Sequence, residues 1–174
     1  MQEPHIRLAL DAEPDAVRAP VMKLGGPVET ALVEAAEALD RREPAQAEQV
    51  CAGDDAIDAL EAAIQVHCAR IPALRAPAAG DLRLILSGVR IASMLERAGD
   101  CARNLTKRTP MARAMRSGRP KCAMMEDPRT ITACMHLHFI ARNIARVGDH
   151  ATAIAEQVPG DPRPKMDSAT GDAV

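Results

Sequence analysis

The chain is predicted to fold as an all-α protein, and three observations carry that reading. Of its 174 residues, 34 are alanine, the best helix former. It holds one Phe and neither Tyr nor Trp, which removes the aromatic content of an antiparallel sandwich and the stacking platforms of single-stranded nucleic acid binders. Apolar residues recur at alternating threes and fours through most of the sequence, the period of a helix with one buried face. Apolar residues at 47% and charged residues at 26% give the balance of a globular protein, and a chain of this length buries a core without disulfide support.

The elements follow in order. Pro4, Pro14, Pro20, Pro27 and the pair Gly25 and Gly26 interrupt the first stretch, so residues 1–27 are read as an irregular or kinked lead-in. From Val28 to Arg42, Ala31, Leu32, Ala35, Ala38 and Leu39 fall at helical spacing, and Pro44 ends that helix and opens the next. The second helix is expected from about Ala45 to about Ile71, with Ile57, Leu60, Ile64 and Cys68 as its stripe. A third runs from Gly80 and Asp81 to about Lys107 through Leu84, Gly88, Ile91, Leu95, Ala98, Ala102 and Leu105. Residues 28–107 therefore form a three-helix unit. Residues 108–127 carry prolines, a glycine and a run of basic side chains, and read as a linker. The last helix spans 128–158, its core face predicted to be Leu137, Ile140, Ile144, Val147, Ala151 and Ile154. The tail, 159–174, is expected to be disordered.

Charge is distributed unevenly. Residues 29–61 hold ten acidic and two basic side chains, and residues 103–121 hold seven basic and none acidic. A basic run of that kind is more often a solvated segment than a nucleic-acid surface, and no nucleic acid partner is expected. Cys51, Cys68, Cys101, Cys122 and Cys134 form no CxxC pair, the usage of a reduced, cytoplasmic protein. No apolar run approaches the length that spans a bilayer, so any membrane association is peripheral and made through partners.

A shift of 49 residues lays 92–105 on 141–154 with identities at Ala92, Arg97, Gly99, Asp100 and Ala102 and the apolar stripes in register. This is an internal repeat. Glycine within a helix costs about 1 kcal/mol against alanine, so its recurrence points to a close helix approach or a ligand site.

The candidate sites are few. Glu96 and Asp100 lie four apart and share a helix face; repulsion between them is offset by Arg97 and Arg103, by water or by a cation. The repeat places Asp149 at the position of Asp100, but Ala145 at that of Glu96. Any iron, zinc or magnesium would thus be held weakly by Glu96, Asp100 and Asp149. Cys134 and His138 supply only two converging ligands for zinc. There is no Glu-x-x-His pair, no glycine-rich phosphate loop and no GxSxG elbow; no catalytic residue is visible. Asp81-Leu82-Arg83 and Asp127-Pro128-Arg129 mark helix starts. Their aspartates can cap the helix.

Four stretches, KLGGPVETAL (23–32), AGDDAIDALEAAI (52–64), ALRAPAAGDLRLILSGVRIASMLERAGDCARNLTKR (73–108) and MMEDPRTITACMHLHFIARNIARVGDHATAIAEQV (124–158), resemble the PhoU family of phosphate transport regulators. The resemblance implies an antiparallel bundle of helices built from two similar three-helix repeats. Here the first repeat is complete and only the last helix of the second remains. It further implies a cytoplasmic adaptor, a homodimer and not an enzyme, that joins the ATPase of a phosphate ABC transporter to a sensor histidine kinase and restrains phosphate uptake and the starvation response. Some members of the family look like metal binders through E/D-x-x-x-D motifs at the places of Glu96 to Asp100 and Ala145 to Asp149. For a regulator of this kind the resemblance also implies signalling through surface contacts, at which Arg83 and Arg129, beside Asp81 and Asp127, could pair with carboxylates of a partner. Two other readings stay open: a metal-binding helical bundle, and a remnant that binds neither partner.

Overall fold

A computed structural model describes residues 4–74, 79–109 and 131–158 of the chain. Four helices make up the described residues: α1 (Pro4–Arg41), α2 (Pro44–Leu74), α3 (Ala79–Thr106) and α4 (Ile131–Gln157). α3 is the centre, packed against each of the other three, and α1 also packs on α2. The two-residue connection from α1 to α2 returns the chain antiparallel, as short links in bundles do.

The α1–α2 turn shows how little sequence a sharp reversal needs. Arg42 follows the end of α1 with φ of 58°, and the Glu43 amide donates to the Ala38 carbonyl at 3.1 Å. This is a Schellman closure made without the glycine that normally takes the left-handed position, at a cost of about 1 kcal/mol. Pro44 then stands at the first position of α2, where a missing N–H costs nothing, and the Ala47 amide donates back to the Glu43 carbonyl at 3.3 Å.

Residues 1–27 were expected to be irregular, and the structure corrects this: α1 is continuous from Pro4 through Pro14, Pro20 and Pro27. Pro4 opens the helix at a position proline tolerates. Each internal proline removes a hydrogen bond and costs roughly 3 kcal/mol, but Val17, Val21, Leu24 and Val28 form one buried line along the same helix, each worth roughly 1.5–3 kcal/mol. Burial on α3 thus offsets the local penalty. Gly88 permits the approach: a Cβ there would lie 2.3 Å from Val17 Cγ1.

A second correction concerns α4. Its side toward α3 contains buried Ile140 and Asn143 and half-buried His136, Val147, His150, Ile154 and Gln157. The heptad is apolar at one position and polar at the other. Ile140, Val147 and Ile154 keep the inward role expected of them, whereas Leu137, Ile144 and Ala151 are exposed, Ile144 at 56%. These three belong to an adjacent stripe, Leu137, Ala141, Ile144, Gly148, Ala151, Ala155 and Val158, all exposed. Shifted back by 49 residues, the stripe becomes Gly88, Ala92, Leu95, Gly99, Ala102, Thr106 and Thr109 of α3 and the residues after it, of which Leu95 is half-buried and the rest are buried. α3 uses this face to hold α1 and α2. In α4 the same face is open.

The end of α3 is tied to α2 and, through the residue just past it, to α4. Cys51 Sγ lies 3.4 Å from Thr106 Oγ1, and the Arg108 guanidinium sits 4.7 Å from the centre of the Phe139 ring, a cation–π contact with α4. Ile140 joins Ala35, Val50, Ala102 and Leu105 in a cluster that fastens α4 to the three-helix unit.

Candidate functional site

Two surfaces gather the charged residues. The first lies between α2 and α3. The α2 core stripe of Ala47, Val50, Ile57, Ile64 and Cys68 is interrupted by an acid, Asp54, only 3% exposed. Arg103 of α3 reaches across to it, Nη1 to Oδ2 at 2.7 Å, and also pairs with Asp100 one turn back on its own helix. The Asp54 contact is close without being well aligned for a hydrogen bond, so charge rather than direction holds it.

Burial raises the Asp54 carboxyl above the usual range and the Arg103 charge opposes that rise, while Asp58, Asp100 and Asp55 add to it. Glu96 is also raised, first by burial and then by Asp100, Asp58 and Glu61, with Arg97 opposing. Arg103 is held above its ordinary value, since Asp54, Asp100 and Asp58 outweigh the effect of burial. The result is an acidic cluster neutralised from within by a guanidinium.

This arrangement bears on the carboxylates named from the sequence. Glu96 and Asp100 do share a half-buried face of α3, but they meet the acids of α2, and Asp149 lies exposed on α4. Among the described residues no group of three or more His, Cys, Asp and Glu side chains comes together to hold a metal ion. Arg103 supplies the positive charge between Asp54 and Asp100. The reading from the sequence missed Asp54, Asp58 and Glu61; the signal was present, for Asp54 and Glu61 occupy the same heptad stripe as Val50, Ile57 and Ile64.

The second surface lies between the first half of α3 and the end of α4. Leu82, Arg83, Leu86, Ser87 and Arg90 line a cleft of about 480 Å³ with Glu156, Gln157 and Val158. Leu82, Leu86 and Val158 are 42%, 53% and 53% exposed, so apolar contacts and two exposed guanidiniums stand side by side. Asp81 sits half-buried in the first turn of α3, where its charge favours the helix dipole. Asp127 and Arg129, the other pair named from the sequence, lie outside the described residues. Arg90 was not foreseen: it is two turns from Arg83 on the same face, a spacing visible only once the cleft is assigned. Around the corner, α1, α3 and α4 border an apolar groove of about 610 Å³ floored by Leu84, Gly88, Ile91 and Leu95.

A PhoU domain model matches the chain twice, over residues 21–109 and 111–158. The chain belongs to the PhoU family. Among its relatives, the phosphate-specific transport system accessory protein PhoU homologue of Caulobacter vibrioides is 34% identical over 209 aligned positions, which take in 86% of this chain and 91% of the relative. That of Zymomonas mobilis is 33% identical over 205 positions, covering 88% and 86%. The crystal structure of PhoU from Pseudomonas aeruginosa superposes with a TM-score of 0.76 at 30% identity, over 84% of this chain and 95% of that one. The phosphate transport system regulatory protein PhoU of Streptococcus pneumoniae shares the fold, with a TM-score of 0.75 at 20% identity.

An alignment of 209 positions is longer than the whole chain. The relative therefore carries positions that this chain lacks. The second PhoU match is also shorter than the first, 111–158 against 21–109.

Proposed function

We propose that this protein acts as an accessory component of a phosphate-specific transport system: a non-catalytic cytoplasmic adaptor between the ATPase of a phosphate ABC transporter and a sensor histidine kinase, restraining uptake and starvation signalling. The match of both repeats to the PhoU domain, with relatives named for that accessory role over most of their length, carries the reading. No described helix is long and apolar enough to cross a membrane, so an adaptor of this kind would reach the bilayer through its partners.

The cleft between α3 and α4 is the surface we assign to the contact. Exposed Leu82 and Leu86 supply apolar area, and Arg83 and Arg90 supply paired donors for carboxylates on a partner helix. Charge reversal tests it. Arg83→Glu with Arg90→Glu is expected to leave helical circular dichroism unchanged, to abolish co-purification with the transporter ATPase and the kinase, and to release phosphate-starvation gene expression in phosphate-rich medium. Continued repression by that folded double variant would remove the cleft from the mechanism.

A further inference from the structure

We infer that Arg97 of α3 and Arg146 of α4 form an anion site across the seam between these two helices, and that its ligand is the phosphate dianion. The site lies two turns along α3 from Arg90, outside the cleft assigned above to a partner, and does not depend on which partners the protein serves.

The repeat and the packing together place the pair. Arg97 and Arg146 are one of the identities brought into register by the shift of 49 residues. α3 and α4 run antiparallel: Ile140, early in α4, shares a cluster with Ala102 and Leu105, late in α3, and Glu156, Gln157 and Val158 meet Leu82, Arg83 and Arg90 at the other end. Matching the two ends puts residue 146 at the level of residue 97, at the middle of the seam. A local two-fold axis thus runs between two equivalent arginines. Each reaches the other's helix, Arg97 acting on His150 of α4 and Arg146 on Cys101 of α3, and His150 and Cys101 are themselves equivalents in the repeat. Packed helices lie about 8–10 Å apart, a span that two arginine side chains close from either side.

Charge then asks for an anion. Both arginines are exposed, and neither has an ion pair or hydrogen bond among the described residues. The acids beside Arg97 are engaged toward α2: Asp100 pairs with Arg103, and Glu96 stands near Asp58 and Glu61. Asp149 opposes the two guanidiniums at His150 without cancelling them, and the buried Nε2 of that imidazole has no hydrogen-bond partner. Two planar forks of N–H donors suit a tetrahedral oxyanion with two charges. A carboxylate offers two oxygens, enough for one fork; phosphate offers enough for both.

Calorimetric titration of the full chain with inorganic phosphate at constant ionic strength should show one phosphate per chain, with a dissociation constant of roughly 0.1–1 mM. Arg97→Gln and Arg146→Gln should each weaken binding by roughly tenfold or more, with unchanged circular dichroism because both side chains are exposed. Arg18→Gln removes an exposed arginine of α1 at the same change in net charge, and should leave binding as it was. His150 gives a second reading. Phosphate between the guanidiniums screens them, so the imidazole midpoint followed by NMR should rise toward its ordinary 6.5 when phosphate replaces chloride, and the Arg97→Gln, Arg146→Gln double variant should not respond.

Absence of saturable binding overturns the inference. So does an equal loss in Arg18→Gln, the mark of unspecific charge, and so does binding that survives both seam variants, which places the anion elsewhere. Phenyl phosphate titrated alongside separates the sources of the group. Weaker or equal binding of the ester supports the free anion as ligand, whereas a preference for the ester of roughly tenfold or more assigns the site to a phosphoryl group carried on another molecule and overturns it.

Discussion

α3 and α4 are one helix pattern in two settings. Both carry an alanine, an arginine, a Gly-Asp pair and a second alanine at matched positions, yet α3 is enclosed by three helices whereas α4 packs mainly on α3 and reaches Ala35 of α1 and Val50 of α2 through Ile140. Repetition of sequence does not carry repetition of environment. In α3 the glycines are sites of close approach, as Gly88 against Val17 shows. In α4 the corresponding positions are Leu137 and an open Gly148. The difference teaches that the same small-residue pattern is a packing face in one helix and an exposed one in the other, so the pattern alone does not decide burial.

The comparison can be broken most decisively with two isoleucines one turn apart on α4. Ile140 is 6% exposed and belongs to the cluster with Val50 and Leu105, while Ile144 is 56% exposed. Ile140→Ala is expected to cost about 2–4 kcal/mol. Ile144→Ala should cost less than about 1 kcal/mol, measured by urea unfolding. Equal losses would mean that the face identified as open is core after all.

The contrast also marks how far the sequence was legible. Helix existence, the α2 and α3 boundaries and the repeat followed from periodicity, since one-sided burial writes itself into spacing. The N-terminal part of α1 did not, because local rules weigh Pro14, Pro20 and Pro27 without knowing that Val17 and Val21 bury on α3. On α4 two apolar lines lie side by side, Ile140 with Val147 and Ile154, and Leu137 with Ile144 and Ala151. A helical wheel merges them into one face; only the position of α3 divides it. The acids of α2 were hidden for the converse reason: Asp54 sits in an apolar stripe and is made tolerable by Arg103, more than forty positions away.

Gly88→Ala sharpens the comparison from the α3 side. The new methyl would collide with the branched Val17 side chain, which has little rotamer freedom with which to yield. A loss of about 1–3 kcal/mol is expected. At the open counterpart of Gly99, Gly148→Ala should instead stabilise the protein by up to about 1 kcal/mol through helix propensity. Thermal melts of the two variants should move in opposite directions.

Glu96 has no carboxylate counterpart, since Ala145 occupies its place in the repeat. Its carboxyl is raised by burial and by Asp100, Asp58 and Glu61, so its ionised form opposes folding. Glu96→Gln should therefore stabilise the protein at neutral pH, by roughly 1 kcal/mol or less given its partial exposure. The folded state binds the proton more readily than the unfolded state does. The penalty fades as pH falls through the raised value, and with it the advantage of the variant. Melting the two proteins side by side from pH 7 to pH 4 checks it; a gain that persists unchanged in acid would assign the effect to packing.

The smallest effect separates the helices by pH. His150 of α4 takes the place that Cys101 holds in α3. Burial lowers the imidazole below its ordinary 6.5, the charges of Arg146 and Arg97 lower it further, and Asp149 opposes them. The neutral ring is the form that fits against α3, and its Nε2 lies buried without a partner. Above 6.5 both folded and unfolded states leave it neutral, so its contribution is fully present there. As pH falls below 6.5 the unfolded chain takes up a proton that the folded chain resists, and stability drops until the lowered folded value is passed. The loss is expected to be roughly a few tenths of a kcal/mol, since the ring is only partly enclosed. It should fall on α4 and spare α3, whose Cys101 thiol is pushed up by burial and stays neutral throughout that range. Hydrogen exchange reads the two helices separately: acidification from pH 7 to 5.5, corrected for the intrinsic pH dependence of exchange, should lower protection along α4 while α3 keeps its own, and His150→Gln should suppress the change. If protection falls equally in both helices, α4 is not the weaker-held partner, and the contrast between an enclosed helix and one packed mainly on a single neighbour fails.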